Sequence, residues 1–238
     1  MRAYERLIKY TSFPAASDGS SSSCPSTPEQ LAFARALVEE MRGLGIEDAH
    51  VDEHGYVYGT IPASIENWTG PVIGFIAHMD TVRDVPYTNI KPRVVENYDG
   101  GEILLNAEQN IVLSPTEFPF LKDYVGRDLV VTDGTTLLGA DNRAGIAEIL
   151  TMAELLLTDD SIKHGTVKIA FTPDEEIGRG AERFNVQNFG ADFAYTVDGG
   201  AFGEVEYETF NAATARITIK GRNIHPGTAK NKMKNASL

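Results

Sequence analysis

The apolar positions along the chain follow two rhythms. Leu31, Ala34, Leu37, Val38, Met41 and Leu44 form a stripe at helical spacing. Thr27 can cap that helix, Pro28 suits its first position, and Gln30 can close a capping box. Gly45 is the expected stop. A second helix is predicted over residues 144–157. The other rhythm is a short, nearly unbroken apolar run, seen at residues 72–77, 167–171 and 193–197. Such runs predict strands covered on both faces. Residues 51–60 and 129–132 add shorter strands. Strands alternating with helices predict an α/β fold, a mostly parallel mixed sheet with helices on both faces.

The pattern changes after Gly203. Ala213, Ala215, Ile217 and Ile219 alternate with Thr214, Arg216, Thr218 and Lys220, which predicts a half-buried antiparallel strand. It reads as the first strand of a second domain, so the expected division is 1–205 and 206–238. The chain stops at "NKMKNASL", inside what reads as a helix, and is expected to be a fragment. Residues 16–30, small and polar, read as a mobile surface loop.

Charge narrows the partners. Lys plus Arg number 21 against 34 Asp plus Glu, a formal charge of -13. That argues against a nucleic-acid backbone or an anionic membrane. The single cysteine, Cys24, excludes an internal disulfide framework and a cysteine zinc site. The start, "MRAYERLIKYTSF", lacks the apolar run of a signal peptide. No run reaches the ~18 apolar residues of a membrane span. A soluble protein of a reducing cytoplasm is expected.

Four places then share one grammar: an apolar strand or a glycine turn that ends in an acid or a histidine. Ligands of α/β sheets bind outside the carboxyl ends of the strands. In "VIGFIAHMDTV", His78 can ligate a metal while Asp80 holds its other nitrogen. In "LLGADNRAG", Asp141 follows a glycine turn and begins a helix. In "FTPDEEIG", Glu175 and Glu176 are adjacent and should diverge, one toward a cation and one toward its water, as a general base requires. In "YTVDGG", Asp198 ends a strand. Singly each has an ordinary reading: a lone histidine, a helix cap, an acidic loop, a turn former. Together at one sheet edge the acids would repel, and one or two divalent ions supply the counter-charge. Mixed imidazole and carboxylate ligands suit zinc, cobalt or manganese. His225, in the Pro-Gly turn of "GRNIHPGTAK", could reach a substrate carbonyl or be a plain loop histidine. His50, His54 and His164 receive no role.

These segments, with "TDGTTLLGADNRAGIAEIL", "TPDEEIGRGA" and "HPGTAK", resemble the peptidase T group of the co-catalytic zinc exopeptidases. The resemblance runs through the whole chain. It implies that His78, Asp141 and Asp198 hold a first Zn2+, and that Asp141 bridges to a second that Glu176 also binds. It implies Glu175 as general base, Asp80 as the partner of His78, and His225 as a substrate-binding lid residue. It implies a cis peptide at Asp141-Asn142. The activity implied is release of the N-terminal residue from tripeptides. The second domain would be the start of an α+β lid and dimerisation domain, pairing two copies. Two departures stand out: Asn142-Arg143 replaces an expected Asp-Lys, and the second zinc's histidine, carried near the family's C-terminus, is absent. A related dipeptidase, carboxypeptidase or deacylase, or a non-catalytic metal-binding domain, are the alternatives.

Overall fold

The computed structural model describes residues 1–208, 211–213 and 215–237. The chain divides into two units, Met1–Gly200 and Ala201–Leu238.

The first unit is organised by a five-stranded sheet. Its strands are β1 (His50–Val51), β2 (Val57–Ile61), β3 (Ile73–His78), β8 (Val167–Thr172) and β9 (Phe193–Thr196), in the order β1-β2-β8-β3-β9. β1, β2 and β8 pair antiparallel, while β3 pairs parallel with both β8 and β9. In the parallel part, Ile73 stands opposite Val167 and Phe193, and His78 stands opposite Thr172. That register brings the carboxyl ends of three strands to one edge, where the acids follow.

Three helices cover one face: α1 (Ala3–Tyr10), α2 (Pro28–Gly43) and α3 (Ala140–Thr158). Leu7, Phe33, Leu37, Met41, Ile146 and Leu150 pack there against Val57, Ala77, Ile169 and Phe171. The other face carries Tyr56, Tyr58 and Ala170 under Phe184 and Phe189, the latter from the single-turn helix α4 (Val186–Phe189). β8 is buried on both faces, which is why its sequence does not alternate. Arg6 staples the three long helices: its guanidinium donates to Glu40 at 2.9 Å, Glu154 at 2.8 Å, Thr151 at 2.9 Å and the Met1 carbonyl at 2.8 Å.

Several expectations change. α1 was not foreseen, and α3, though it extends back to Ala140, is broken at Asp141 and Asn142, so its regular part begins about where expected. The capping box at α2 does not form: the Thr27 hydroxyl donates to the Ala16 carbonyl, and Gln30 turns toward Asp174. Residues 129–131 form β7 (Leu129–Val131), which pairs not with the main sheet but with β4 (Arg93–Val95). With the hairpin of β5 (Ile103–Asn106) and β6 (Ile111–Leu113) it belongs to an insertion between β3 and α3. Tyr98, Ile103 and Leu121 give that insertion its own small core.

In the second unit no strand forms over residues 211–213 or 215–220; Thr214 lies outside the described residues. Ile217 and Ile219 remain 81% and 68% exposed. A strand needs ladder partners, and among the described residues this unit offers only the bridge of Arg222 with Lys234. Nor is the end helical: Asn231 takes a left-handed φ of 61°, and residues 230–237 form turns around that bridge.

Candidate metal centre

His78 ends β3 with its side chain buried. Its Nδ1 lies 3.0 Å from the Asp80 main-chain carbonyl and 3.4 Å from Asp80 Oδ1. Both are acceptors, so Nδ1 carries the proton in the neutral ring. The lone pair of Nε2 then faces outward, with Asp141 Oδ1 at 3.0 Å, Asp198 Oδ2 at 3.7 Å and Glu175 Oε2 at 3.8 Å. One ligand atom from each of His78, Asp141 and Asp198 falls within a 4.8 Å group.

Each acid is placed by its own local device. Asp141 sits in a kink of α3, after Gly139 with φ 72°, and its peptide to Asn142 is cis. Its φ and ψ of -80° and 110° break the helix there, and its carboxylate faces His78 rather than accepting an amide of α3 among the described residues. Gly145 lets α3 lie directly on the end of β9: a Cβ there would come within 2.1 Å of the Val197 carbonyl oxygen. That close approach brings Asp141 beside Asp198. A cavity of about 280 Å³ borders the pair, lined by Asn142, Glu148 and Gly199 among others.

Glu175 and Glu176 diverge. Glu175 turns to His78, and Glu176 lines a separate cavity of about 170 Å³ with Ser17, Asp18 and Arg83. The fully buried Asp80 ties them back: its Oδ1 accepts the Glu175 amide at 2.9 Å and its Oδ2 the Glu176 amide at 3.1 Å. One carboxylate thus orients the imidazole and the acidic pair together. His225 lies in the second unit, exposed at the start of the turn Pro226–Thr228, its Nδ1 accepting the Gly227 amide at 3.2 Å.

The electrostatics follow from crowding. Burial disfavours the charged ring of His78, but Asp80, Asp198 and Glu175 outweigh it and push the pKa up to about 9. Burial raises Asp198, with Asp141 and Glu175 adding to it against the pull of His78. Burial raises Glu176, with Asp141 adding to it. The site holds more acid than it can comfortably ionise. One imidazole lone pair and two carboxylate oxygens converging in this way fit one divalent cation.

Sequence reasoning missed two buried charges here. Asp174, with φ 58°, accepts the Ser26 amide at 2.8 Å, the Ser26 hydroxyl at 2.5 Å and Gln30 Nε2 at 2.7 Å, and its own amide donates to Gln30 Oε1 at 3.0 Å. Residues 16–30 are therefore no free loop; Ala16, Ser17, Ser26, Thr27 and Gln30 are buried. Arg143 is also buried, and burial lowers its pKa to about 10 against the opposing field of Asp80. Its signal was available: Arg143, Ile146, Ala147 and Leu150 share one helical face, and the last three are apolar.

Known proteins resemble this chain in sequence and in fold. Residues 207–238 match the family model of the peptidase dimerisation domain. The chain is 57% identical over 237 residues to peptidase T of Halothermothrix orenii, covering 100% of this chain and 58% of that protein. It therefore spans less than two thirds of the curated relative's length. A tripeptidase structure from Staphylococcus aureus superposes with a TM-score of 0.58 at 25% identity, covering 84% of this chain and 43% of that one. The aminopeptidase PepT from Bacillus cereus gives a TM-score of 0.56 at 26% identity, covering 83% and 44%. The chain is a homologue of peptidase T, and its mixed α/β sheet is the fold of those peptidases.

Proposed function

We propose that the chain carries the catalytic acids of a metal-dependent aminopeptidase that releases the N-terminal residue from short peptides, tripeptides above all. The observation that carries this is the convergence of Asp141, Asp198 and Glu175 on the free nitrogen of His78, at 3.0, 3.7 and 3.8 Å. The peptidase names of its relatives support it.

His78, Asp141 and Asp198 would hold one Zn2+, and Asp141 with Glu176 would contribute to a second. Such ions, when bound, make water a nucleophile near neutral pH and polarise a carbonyl. Glu175 takes the proton of the attacking water and returns it to the leaving amine. Asp80 keeps the His78 proton on Nδ1 and, through two amides, sets where Glu175 stands. His225 contacts the substrate carbonyl. Residues 206–238 begin a lid domain through which two copies pair, and the protein works in the cytoplasm.

The test is Glu175→Ala in a form as long as the relatives. Turnover of a free tripeptide should fall by about a thousandfold or more, while bound zinc stays at the wild-type level. An N-blocked tripeptide should not be cleaved by the unsubstituted protein. Cleavage of the blocked peptide, or loss of zinc on substitution, refutes these assignments.

A further inference from the structure

Two arginines are buried in the first unit, and they are treated differently. Arg6 makes four hydrogen bonds, two of them to carboxylates. Arg143 makes one, from Nη2 to the Phe13 carbonyl at 2.6 Å; its Nε and Nη1 have no partner among the described residues. No carboxylate lies within ion-pair distance of it among those residues. A cation left this way costs stability, and an apolar residue of similar volume in its place is often neutral or stabilising. The helix face it occupies is otherwise apolar, so packing alone would be served by methionine.

Its position gives the reason. Arg143 stands two residues after Asp141, and its guanidinium lies under the turn that presents that acid. A Cβ on Gly139 would come within 2.4 Å of Nη1 and 3.3 Å of Thr81 Cγ2. The guanidinium is also 5.9 Å from the Phe33 ring of α2. The guanidinium therefore sits between the Gly139 turn and the segment after α1, whose Phe13 carbonyl takes the hydrogen bond. Thr81 follows Asp80, and its amide donates to the Ala15 carbonyl of the same segment at 3.2 Å. One strip of backbone, residues 13–17, thus holds both the His78–Asp80 end and, through Arg143, the Asp141 turn.

We propose that Arg143 is a positioning residue: it clamps the Gly139–Asn142 turn to residues 13–17 and so holds Asp141 at the distance from His78 that accepts a divalent cation. This rests on the metal-site reading above. The alternative action of a buried cation is plain repulsion of the metal, and the two predict opposite signs. Without the clamp the cation should bind more weakly; without a mere repulsion it should bind more tightly.

The experiment is a Co2+ titration of the whole chain, followed by visible absorption, well below the unfolding midpoint. Arg143→Met should weaken Co2+ binding by about tenfold or more, the usual range for residues that orient ligands. Its unfolding midpoint without metal should be unchanged or higher. Arg143→Lys should recover much of the affinity. Unchanged or tighter binding by Arg143→Met overturns the proposal. So does a weaker affinity accompanied by a lowered midpoint, since a purely structural role gives that result. Should Arg143→Met not fold, Arg143→Gln is judged by the same criteria. Wild-type chain that binds no Co2+ would sink the metal site itself, whereas binding that is lost in His78→Ala but intact in Arg143→Met sinks only the clamp.

Discussion

Gly145 has no side chain because there is no room for one. The Val197 carbonyl oxygen would sit 2.1 Å from its Cβ and Asn142 Oδ1 2.4 Å. The first obstacle is backbone, so it cannot swing aside. Gly145→Ala should push α3 off the end of β9 and part Asp141 from Asp198. The expected outcome is a fall in Co2+ affinity of roughly tenfold or more, read by the same titration. His78 makes a second prediction at this scale. With a pKa near 9 the ring is protonated at neutral pH in the metal-free protein, yet a metal takes only the neutral ring. Metal uptake near neutral pH should therefore release about one proton from the ring, seen by calorimetry in buffers of different ionisation enthalpy. The linkage has a definite sign. A raised histidine pKa adds stability that is complete below about 6.5 and lost as pH rises through about 9. Metal-free protein should lose stability over that window, and zinc should abolish the dependence.

At the scale of elements, β8 was legible because a strand buried on both faces leaves a run of Val, Ile, Ala and Phe, whereas the similar run at residues 193–197 forms the edge strand β9, exposed along its length rather than covered on both faces. The register then followed, since β3, β8 and β9 end together where His78, Glu175 and Asp198 begin. The insertion was legible only in β7, and not in that strand's partner. Its strands span three or four residues and pair among themselves, too short for a period to show. The alternation near residue 217 was real in sequence but formed no strand, because pairing is a property of two segments and not of one. The adjacent acids were read as diverging, and they do. What spacing could not show is that the Asp80 carboxylate accepts both of their amides. Arg143 stood out in sequence only as a departure from an expected lysine; its hydrogen bond to Phe13, far away in the chain, could not be read there.

At the scale of the whole molecule, the serine-rich stretch has a consequence for assembly. Asp174 spends its carboxylate and its amide on Ser26 and Gln30, and the next two amides grip Asp80. A segment that looks ready to fray is thereby knotted into a support of the acidic pair. Docking of the α2 start and shaping of the acid corner become a single cooperative step. In hydrogen exchange, the amides of Ser26, Asp174 and Glu175 should open together at one common free energy; independent opening of Ser26 would show the two regions to be uncoupled. The site would then be absent from any partly folded form in which the sheet has closed but α2 has not, so that such a form could neither capture a metal nor cut a neighbour.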